Sequence, residues 1–233
     1  MGVRFAPQVE GDDAPYTLVV GGSPVVLDAA ALALLARGCP RVVAVDRGLD
    51  ALIDAGVTCD LFCGDADSVS ARGRSLVDRA LTGDSGFIRD VERYDPRKDF
   101  TDLALALRAV RERWGDVPLL CTSLSGGRTD HELAALGCLL SWRGRIAWEE
   151  PSFSGRLLRS GEAWDLTGLA GSTFSFVCLS PEASVSERGM AWPLDHRRVR
   201  LLEDLGISNV LRDDAVIACH EGSVMAFCLH PAE

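Results

Sequence analysis

The sequence predicts an α/β protein, with an N-terminal, mostly parallel α/β/α sheet domain followed by a small C-terminal all-β sandwich. Two observations carry this reading. Through the first two-thirds of the chain, short apolar runs alternate with segments whose apolar residues recur at helical spacing. That rhythm builds a parallel sheet with helices on its faces. After Glu150 the texture changes: Pro151, Ser154, Gly155, Gly161, Gly168, Gly171 and Ser172 punctuate short apolar segments, and no long helical pattern remains. The expected domains are therefore 1–150 and 151–233.

The expected strands of the first domain are Thr17–Val20, Arg41–Val45, Leu61–Cys63, Gly86–Ile88, Leu119–Thr122 and Arg145–Trp148. Several are apolar at every position, as strands buried on both faces are. Helical spacing covers Asp28–Ala36, Leu49–Ala55, Arg72–Leu81, Thr101–Trp114 and Thr129–Trp142. In the second domain, Thr173–Leu179, Ala215–His220 and Ser223–Leu229 read as strands. Glu221-Gly222 reads as a tight hairpin turn, and Val199–Leu205 as a short helical turn.

Composition narrows the function. A net charge of −10 argues against nucleic acid as a partner, because phosphate backbones require a coherent patch of Lys and Arg. No run approaches the roughly 20 apolar residues that span a bilayer, so no membrane partner is expected. The first fifteen residues place no apolar segment behind Arg4, unlike a secretory signal, so a cytoplasmic location is expected. The eight cysteines form no C-x-x-C pair and fall mostly in apolar segments, which reads as reduced core thiols.

Ligands of an open parallel sheet bind beyond the carboxyl ends of its strands. Asp46 follows the second strand, and Asp65 and Asp67 follow the third within Gly64-Asp65-Ala66-Asp67-Ser68. Carboxylates so close repel one another, and a divalent cation relieves that repulsion. All-oxygen ligands suit Mg²⁺, which shares its remaining positions with substrate phosphates. A solvated turn that caps the next helix is the other reading of Asp65–Ser68. Lys98, Asp99, Thr101 and Asp102 lead into a long helix, whose N-terminal N–H groups attract anions. Asp99 or Thr101 would cap that helix in any case. After the fifth strand, Gly126-Gly127-Arg128-Thr129-Asp130-His131 combines permissive backbone with a guanidinium suited to bidentate phosphate contact. Asp130 also suits a helix N-cap, and His131 suits either packing or proton transfer. The sequence contains no G-x-x-x-x-G-K-[ST] loop, no G-x-G-x-x-G after the first strand, no G-x-S-x-G elbow, and no H-R-D or D-F-G set.

Val45-Asp46-Arg47-Gly48, Gly64-Asp65-x-Asp67-Ser68, Lys98-Asp99-x-Thr101-Asp102 and Gly127-Arg128-x-Asp130-His131 together resemble the thiamine pyrophosphokinase family. Gly189-Met190-Ala191-Trp192-Pro193-Leu194 is similar to the family's G-x-K-[YW]-x-L segment, and Gly206-Ile207-Ser208-Asn209 to its G-x-S-N segment. The resemblance spans roughly residues 16 to 230. It departs at Arg47, at Ala66 in place of a common Phe, at Ala135 in place of Asn, and at Ala191 in place of the usual Lys.

The resemblance implies an ATP-binding α/β domain, a thiamine-binding β-sandwich, and a homodimer with thiamine where two subunits meet. It implies pyrophosphoryl transfer from Mg-ATP to the thiamine hydroxyl. On this reading Asp46, Asp65, Asp67 and Asp102 hold Mg²⁺, with Asp99 in the same triphosphate region. Arg47, Ser68, Lys98, Thr101, Arg128, Asp130 and His131 serve ATP, while Trp192, Ser208 and Asn209 line the thiamine pocket. Asp67, Asp99, Lys98 and Arg128 are the candidate catalytic groups, with Asp67 or Asp99 as the acceptor of the hydroxyl proton. An indole face attracts a cationic aromatic such as thiamine, although Trp192 also suits an ordinary core. Two other functions remain open on the sequence: a non-catalytic nucleotide or thiamine sensor, and an ATP-dependent transferase acting on another small alcohol.

Overall fold

The structure, a computed structural model, describes residues 15–84, 86–95, 97 and 99–231, without the side chain of Asp213. The chain forms two compact units, one ending at Ile146 and one beginning at Ala147.

The first unit contains β1 (Thr17–Val20), α1 (Ala29–Arg37), β2 (Arg41–Val45), α2 (Gly48–Asp54), β3 (Cys59–Gly64) and α3 (Ala71–Leu81). It continues with β4 (Ile88–Arg93), α4 (Asp102–Trp114), β5 (Leu119–Thr122) and α5 (Thr129–Ser141). Its strands lie in the order β5-β1-β2-β3-β4, and every pairing is parallel. Parallel order brings all the strand carboxyl ends to one edge, so the loops that follow β1, β2, β3 and β5 are neighbours. Leu18, Val19, Val20, Val43, Ala44, Leu61, Phe62 and Cys63 are fully buried, which explains their unbroken apolar runs.

Local chemistry sets the helix starts. Asp28 Oδ1 accepts from Ala31 N at 2.8 Å, Ser70 Oγ from Gly73 N at 3.1 Å, and Thr101 Oγ1 from Ala104 N at 3.2 Å. Gly115, with φ of +77°, ends α4.

One strand differs from expectation. The sequence places the fourth strand at Gly86–Ile88, whereas β4 runs Ile88–Arg93. It is the edge strand, and its charged residues are satisfied laterally: Arg89 meets Asp60 at 3.1 Å, Asp90 meets Arg113 at 2.9 Å. Charges on an edge also discourage further strand pairing, and they erase the apolar signal.

The second unit contains β6 (Ile146–Glu150), β7 (Phe153–Arg159), β8 (Glu162–Asp165), β9 (Thr173–Cys178), β10 (Glu182–Met190), β11 (Leu194–Arg200), β12 (Asn209–Glu221) and β13 (Ser223–Leu229). Its strands lie in the order β11-β10-β12-β9-β13-β7-β6, with β8 on β12, and the pairings of β7 to β13 are antiparallel. Trp164, Phe174, Phe176, Val185, Ile217 and Val224 are fully buried in one apolar core. The expected strands near 173, 215 and 223 are present, and Gly222, with φ of +77°, turns the last hairpin. The expected helical turn over Val199–Leu205 instead begins as the end of β11, because Val199 packs into that core. Strands β7, β8, β10 and β11 lack a clean apolar alternation; β11 reads LDHRRVR and is largely exposed.

All eight cysteines are free thiols. Burial pushes Cys59 up to about 12 and Cys39, Cys219 and Cys228 up to about 11, so these thiols are poor nucleophiles. Among the described residues, no helix is long and apolar enough to cross a membrane.

Candidate active site

Three carboxylates meet beyond β2 and β3. Asp46, Asp65 and Asp67 each offer an oxygen, and these atoms all lie within 4.8 Å of one another. Backbone geometry makes the meeting possible. Asp46 N donates to Cys63 O at 2.8 Å, tying the tip of β2 to β3. Gly64 passes so close that a Cβ there would lie 3.1 Å from both Cα and Cβ of Asp46. Asp46 and Ala66 adopt left-handed backbone, with φ of +46° and +64°. Non-glycine residues in that region carry strain, which concentrates at functional sites.

The cluster is electrostatically uncomfortable without a cation. Burial raises the Asp46 carboxyl above its ordinary range, and the Asp102 and Asp65 charges raise it further. Hydrogen bonds from the Ser68 hydroxyl and the Arg47 backbone oppose the rise. The Ser68 bond ends on Asp46 Oδ2, while Oδ1 is buried with no hydrogen-bond partner among the described residues. A buried, unpartnered oxygen on a carboxylate with two other carboxylates close by is a poor resting state and a good hard-cation ligand. The donor set therefore fits Mg²⁺.

The helix-capping alternative for the Asp65–Ser68 turn fails, because Ser70 caps α3. Asp65 Oδ1 instead accepts from Asp67 N at 3.1 Å, which shapes the turn between the two carboxylates. Thr101 is the cap of α4, so Asp102 sits in that helix's first turn, where its charge reaches Asp46. Asp99 is exposed in the preceding loop, and Lys98 lies outside the described residues.

Arg128, Asp130 and His131 occupy the same sheet edge after β5. The Arg128 guanidinium makes a two-point contact with Asp130, Nε to Oδ1 at 3.1 Å and Nη2 to Oδ2 at 2.6 Å. Arg128 holds the Asp130 carboxyl down at about 2. Both side chains are exposed, as is His131, and the contacts described for Arg128 run to Asp130 and not to the carboxylate cluster. Helix α5 starts at Arg128 without a side-chain cap. The His131 N–H in its first turn donates to the Asp130 carboxylate.

The loop after β1 joins these parts, a role the sequence left unassigned. A Cβ on Gly127 would lie 2.9 Å from Pro24 Cδ, and one on Gly22 would lie 3.3 Å from Arg47 Cβ. Gly21-Gly22-Ser23-Pro24 thus packs between the β5 and β2 loops.

In the second unit, the Trp192 side chain is 64% exposed, which removes the reading of a core tryptophan. Its backbone is held firmly. Asn209 Oδ1 accepts from Trp192 N at 3.1 Å and Val210 N at 2.9 Å, while Nδ2 donates to Trp192 O at 2.8 Å. The second Nδ2 proton goes to Glu187 Oε2 at 3.0 Å. These four bonds use the whole capacity of the amide. Asn209 is 3% exposed, so it acts as a buried clamp on Trp192, where the sequence suggested a pocket-lining group. Ser208 is exposed, with φ of +61°, and its N–H donates to Ser175 Oγ at 2.9 Å.

Comparison with known proteins agrees with this division of labour. Residues 32–147 match the family model described as thiamin pyrophosphokinase, catalytic domain, and residues 160–224 match thiamin pyrophosphokinase, vitamin B1 binding domain. A curated relative, the thiamine pyrophosphokinase of Bacillus subtilis (strain 168), is 32% identical over 97 residues, which is 42% of this chain and 42% of the relative's own length. The fold is similar to that of a crystallised thiamine pyrophosphokinase from Bacillus subtilis, with TM-score 0.75 at 22% identity, covering 93% of this chain and 100% of that one. The thiamin pyrophosphokinase of Candida albicans aligns with TM-score 0.74 at 13% identity, covering 94% and 90% of the two chains. With both family models matched in order, and the acidic loops and the Trp192 segment each inside one of them, this chain belongs to the thiamin pyrophosphokinase family.

Proposed function

We propose that this chain transfers a pyrophosphoryl group from Mg-ATP to the hydroxyl of thiamine, giving thiamine diphosphate and AMP. The observation that carries the proposal is the convergence of the Asp46, Asp65 and Asp67 carboxylates, one of which, Asp46, has a buried oxygen with no hydrogen-bond partner among the described residues. These three, with Asp102 beside Asp46, would hold Mg²⁺. When bound, the ion supplies positive charge that stabilises the phosphate oxygens.

The thiamine hydroxyl oxygen attacks the β-phosphorus, and the bond from that phosphorus to the oxygen bridging the α-phosphate breaks. AMP departs with that oxygen. The hydroxyl proton goes to a carboxylate, with exposed Asp67 and Asp99 as the candidates. Transfer of this kind depends chiefly on positioning and on charge stabilisation. Arg128, oriented by Asp130, presents a guanidinium to phosphate at the edge where α5 begins. Ser68 orients Asp46, Thr101 fixes the start of α4 beside Asp102, and exposed Arg47 and His131 flank the triphosphate. Lys98 completes the phosphate contacts on the strength of its place in the motif. Trp192 is the platform for thiamine, with Asn209 as the clamp and Ser208 next to Asn209 in sequence. A homodimer that brings thiamine between two subunits, and a cytoplasmic location, complete the proposal.

The test is direct. Purified protein supplied with ATP, Mg²⁺ and thiamine should release AMP and thiamine diphosphate in equal amounts. ADP in place of AMP would mean an ordinary kinase, and nucleotide binding without turnover would mean a sensor. A second expectation concerns the platform. Trp192→Ala should raise the thiamine KM about ten- to thirtyfold, the loss of a cation–π contact of about 1.5–2 kcal/mol, with the ATP KM unchanged. Steady-state kinetics in both substrates checks it.

A further inference from the structure

A carboxylate stands two hydrogen bonds from the Trp192 backbone, at a position where the fold calls for an apolar residue. The alternation along β10 that buries Ala183 and Val185 places Glu187 on the same side, opposite Ile217 of β12 and Leu194 of β11. Glu187 is 1% exposed. Its Oε2 accepts only the Asn209 bond described above, and Oε1 is buried with no hydrogen-bond partner among the described residues. Half-satisfied buried carboxylates are costly, and Leu or Gln at this point would spare the fold that cost. The clamp gives the carboxylate a use. One hydrogen bond links Glu187 to Asn209, and the next links Asn209 to Trp192 O at 2.8 Å.

We propose that Glu187 is a positioning and specificity residue for the cationic substrate: it orients Asn209, which holds the Trp192 backbone, and sets a negative charge two hydrogen bonds away from that residue. The proposal rests on the reading of Trp192 as the thiamine platform. It assigns to Glu187 the preference for a positively charged aromatic ring over a neutral one of the same shape. The charge cannot be cancelled by the clamp, because Asn209 is neutral and already saturated.

The surroundings leave Glu187 responsive. Burial pushes its carboxyl up to about 7, and the Asn209 hydrogen bond is the only opposing influence. Several charged side chains on β10 and β11 engage one another. Asp195 pairs with His196 at 2.8 Å and also feels Arg188 and His220; Arg198 pairs with Glu182 at 2.6 Å. A raised carboxyl pKa means that the folded protein holds a proton that the unfolded chain has released. The group's penalty is therefore absent below the ordinary value of 4.5, grows as pH rises, and is complete above about 7.

The experiment compares wild type, Glu187→Gln and Trp192→Ala as full-length chains at pH 6, 7 and 8, with thiamine and with an uncharged analogue whose thiazolium nitrogen is replaced by carbon. Glu187→Gln preserves shape and the bond from Asn209. It should raise the thiamine KM about five- to tenfold at pH 8, an effect of one screened charge at moderate distance, with the ATP KM unchanged. Wild-type thiamine KM should fall from pH 6 to pH 8 as the carboxylate ionises, and the variant should lose that slope. The uncharged analogue should not distinguish the two proteins. Glu187→Gln should also melt at a higher temperature than wild type at pH 8 and at nearly the same temperature at pH 5, which shows that any loss of affinity is not a loss of fold. A Glu187→Gln protein with wild-type thiamine KM and pH slope overturns the proposal, while a weakened Trp192→Ala beside it leaves the platform standing. If Trp192→Ala itself binds thiamine normally, the platform reading fails and takes this inference with it. The wild-type pH slope is a separate arm that needs no variant, and a flat slope also overturns the proposal.

Discussion

Asp46→Asn is expected to reduce turnover about a hundredfold or more, a loss of roughly 3 kcal/mol of transition-state stabilisation, without unfolding the protein. Asp46 is the most constrained member of the carboxylate cluster. Its Oδ2 is held by Ser68, its Oδ1 has no partner among the described residues, and its backbone sits at φ of +46°. Asparagine has nearly the same shape, keeps an oxygen to accept the Ser68 hydroxyl, and tolerates left-handed backbone well. It lacks the charge that a hard cation requires. The stability effect should run the opposite way to the activity. Burial, Asp102 and Asp65 raise the Asp46 carboxyl, so near pH 7.5 its ionised form costs the metal-free fold free energy. The neutral amide removes that cost. In metal-free buffer the variant should therefore melt no lower than wild type, while its kcat collapses. Circular dichroism melting alongside steady-state kinetics checks both halves.

Gly48→Ala should be the most damaging single methyl in the first unit. A Cβ on Gly48 would lie 2.1 Å from Val20 O and 2.7 Å from Gly21 O. Both are backbone atoms, Val20 belongs to β1, an interior strand of the parallel sheet, and Leu49 beside the glycine is fully buried. No rotamer change relieves such a contact, so either α2 or β1 must move. Overpacking of this kind costs about 3 kcal/mol or more. For a chain of this size that is a drop of roughly 6–12 °C in melting temperature. Displacing α2 also displaces Asp46, two residues away, so activity should fall with stability. Urea unfolding, read as a lower midpoint at unchanged slope, separates this from a change in the denatured state.

Particular residues show why some of this was legible in sequence and some was not. The strands β1, β2 and β5 stand at the residues expected, because strands buried on both faces are uninterrupted apolar runs. Edge strand β4 shifted by two residues at its start because its half-exposed positions carry paired charges. The long, mostly exposed β11 gave no periodic signal at all. The acidic cluster was legible because its members directly follow strands whose ends share one edge. What decides roles within it was not: the sequence offered the Asp65–Ser68 turn as a helix cap, and only the structure gives that task to Ser70. The burial of Glu187 and the hydrogen bonds of Asn209 to the Trp192 backbone were invisible for a related reason. A Glu in Ser-Glu-Arg-Gly looks like a surface residue until the alternation of β10 carries it into the core.

Cation binding by Asp46, Asp65 and Asp67 is the claim on which the rest stands, and Mn²⁺ titration followed by electron paramagnetic resonance of the free ion measures it without relying on turnover. Wild type should show saturable binding, weakened at least tenfold in Asp46→Asn and in Asp67→Asn, and unchanged in Trp192→Ala, which lies in the other unit. Identical binding curves for wild type and the two asparagine variants would contradict it.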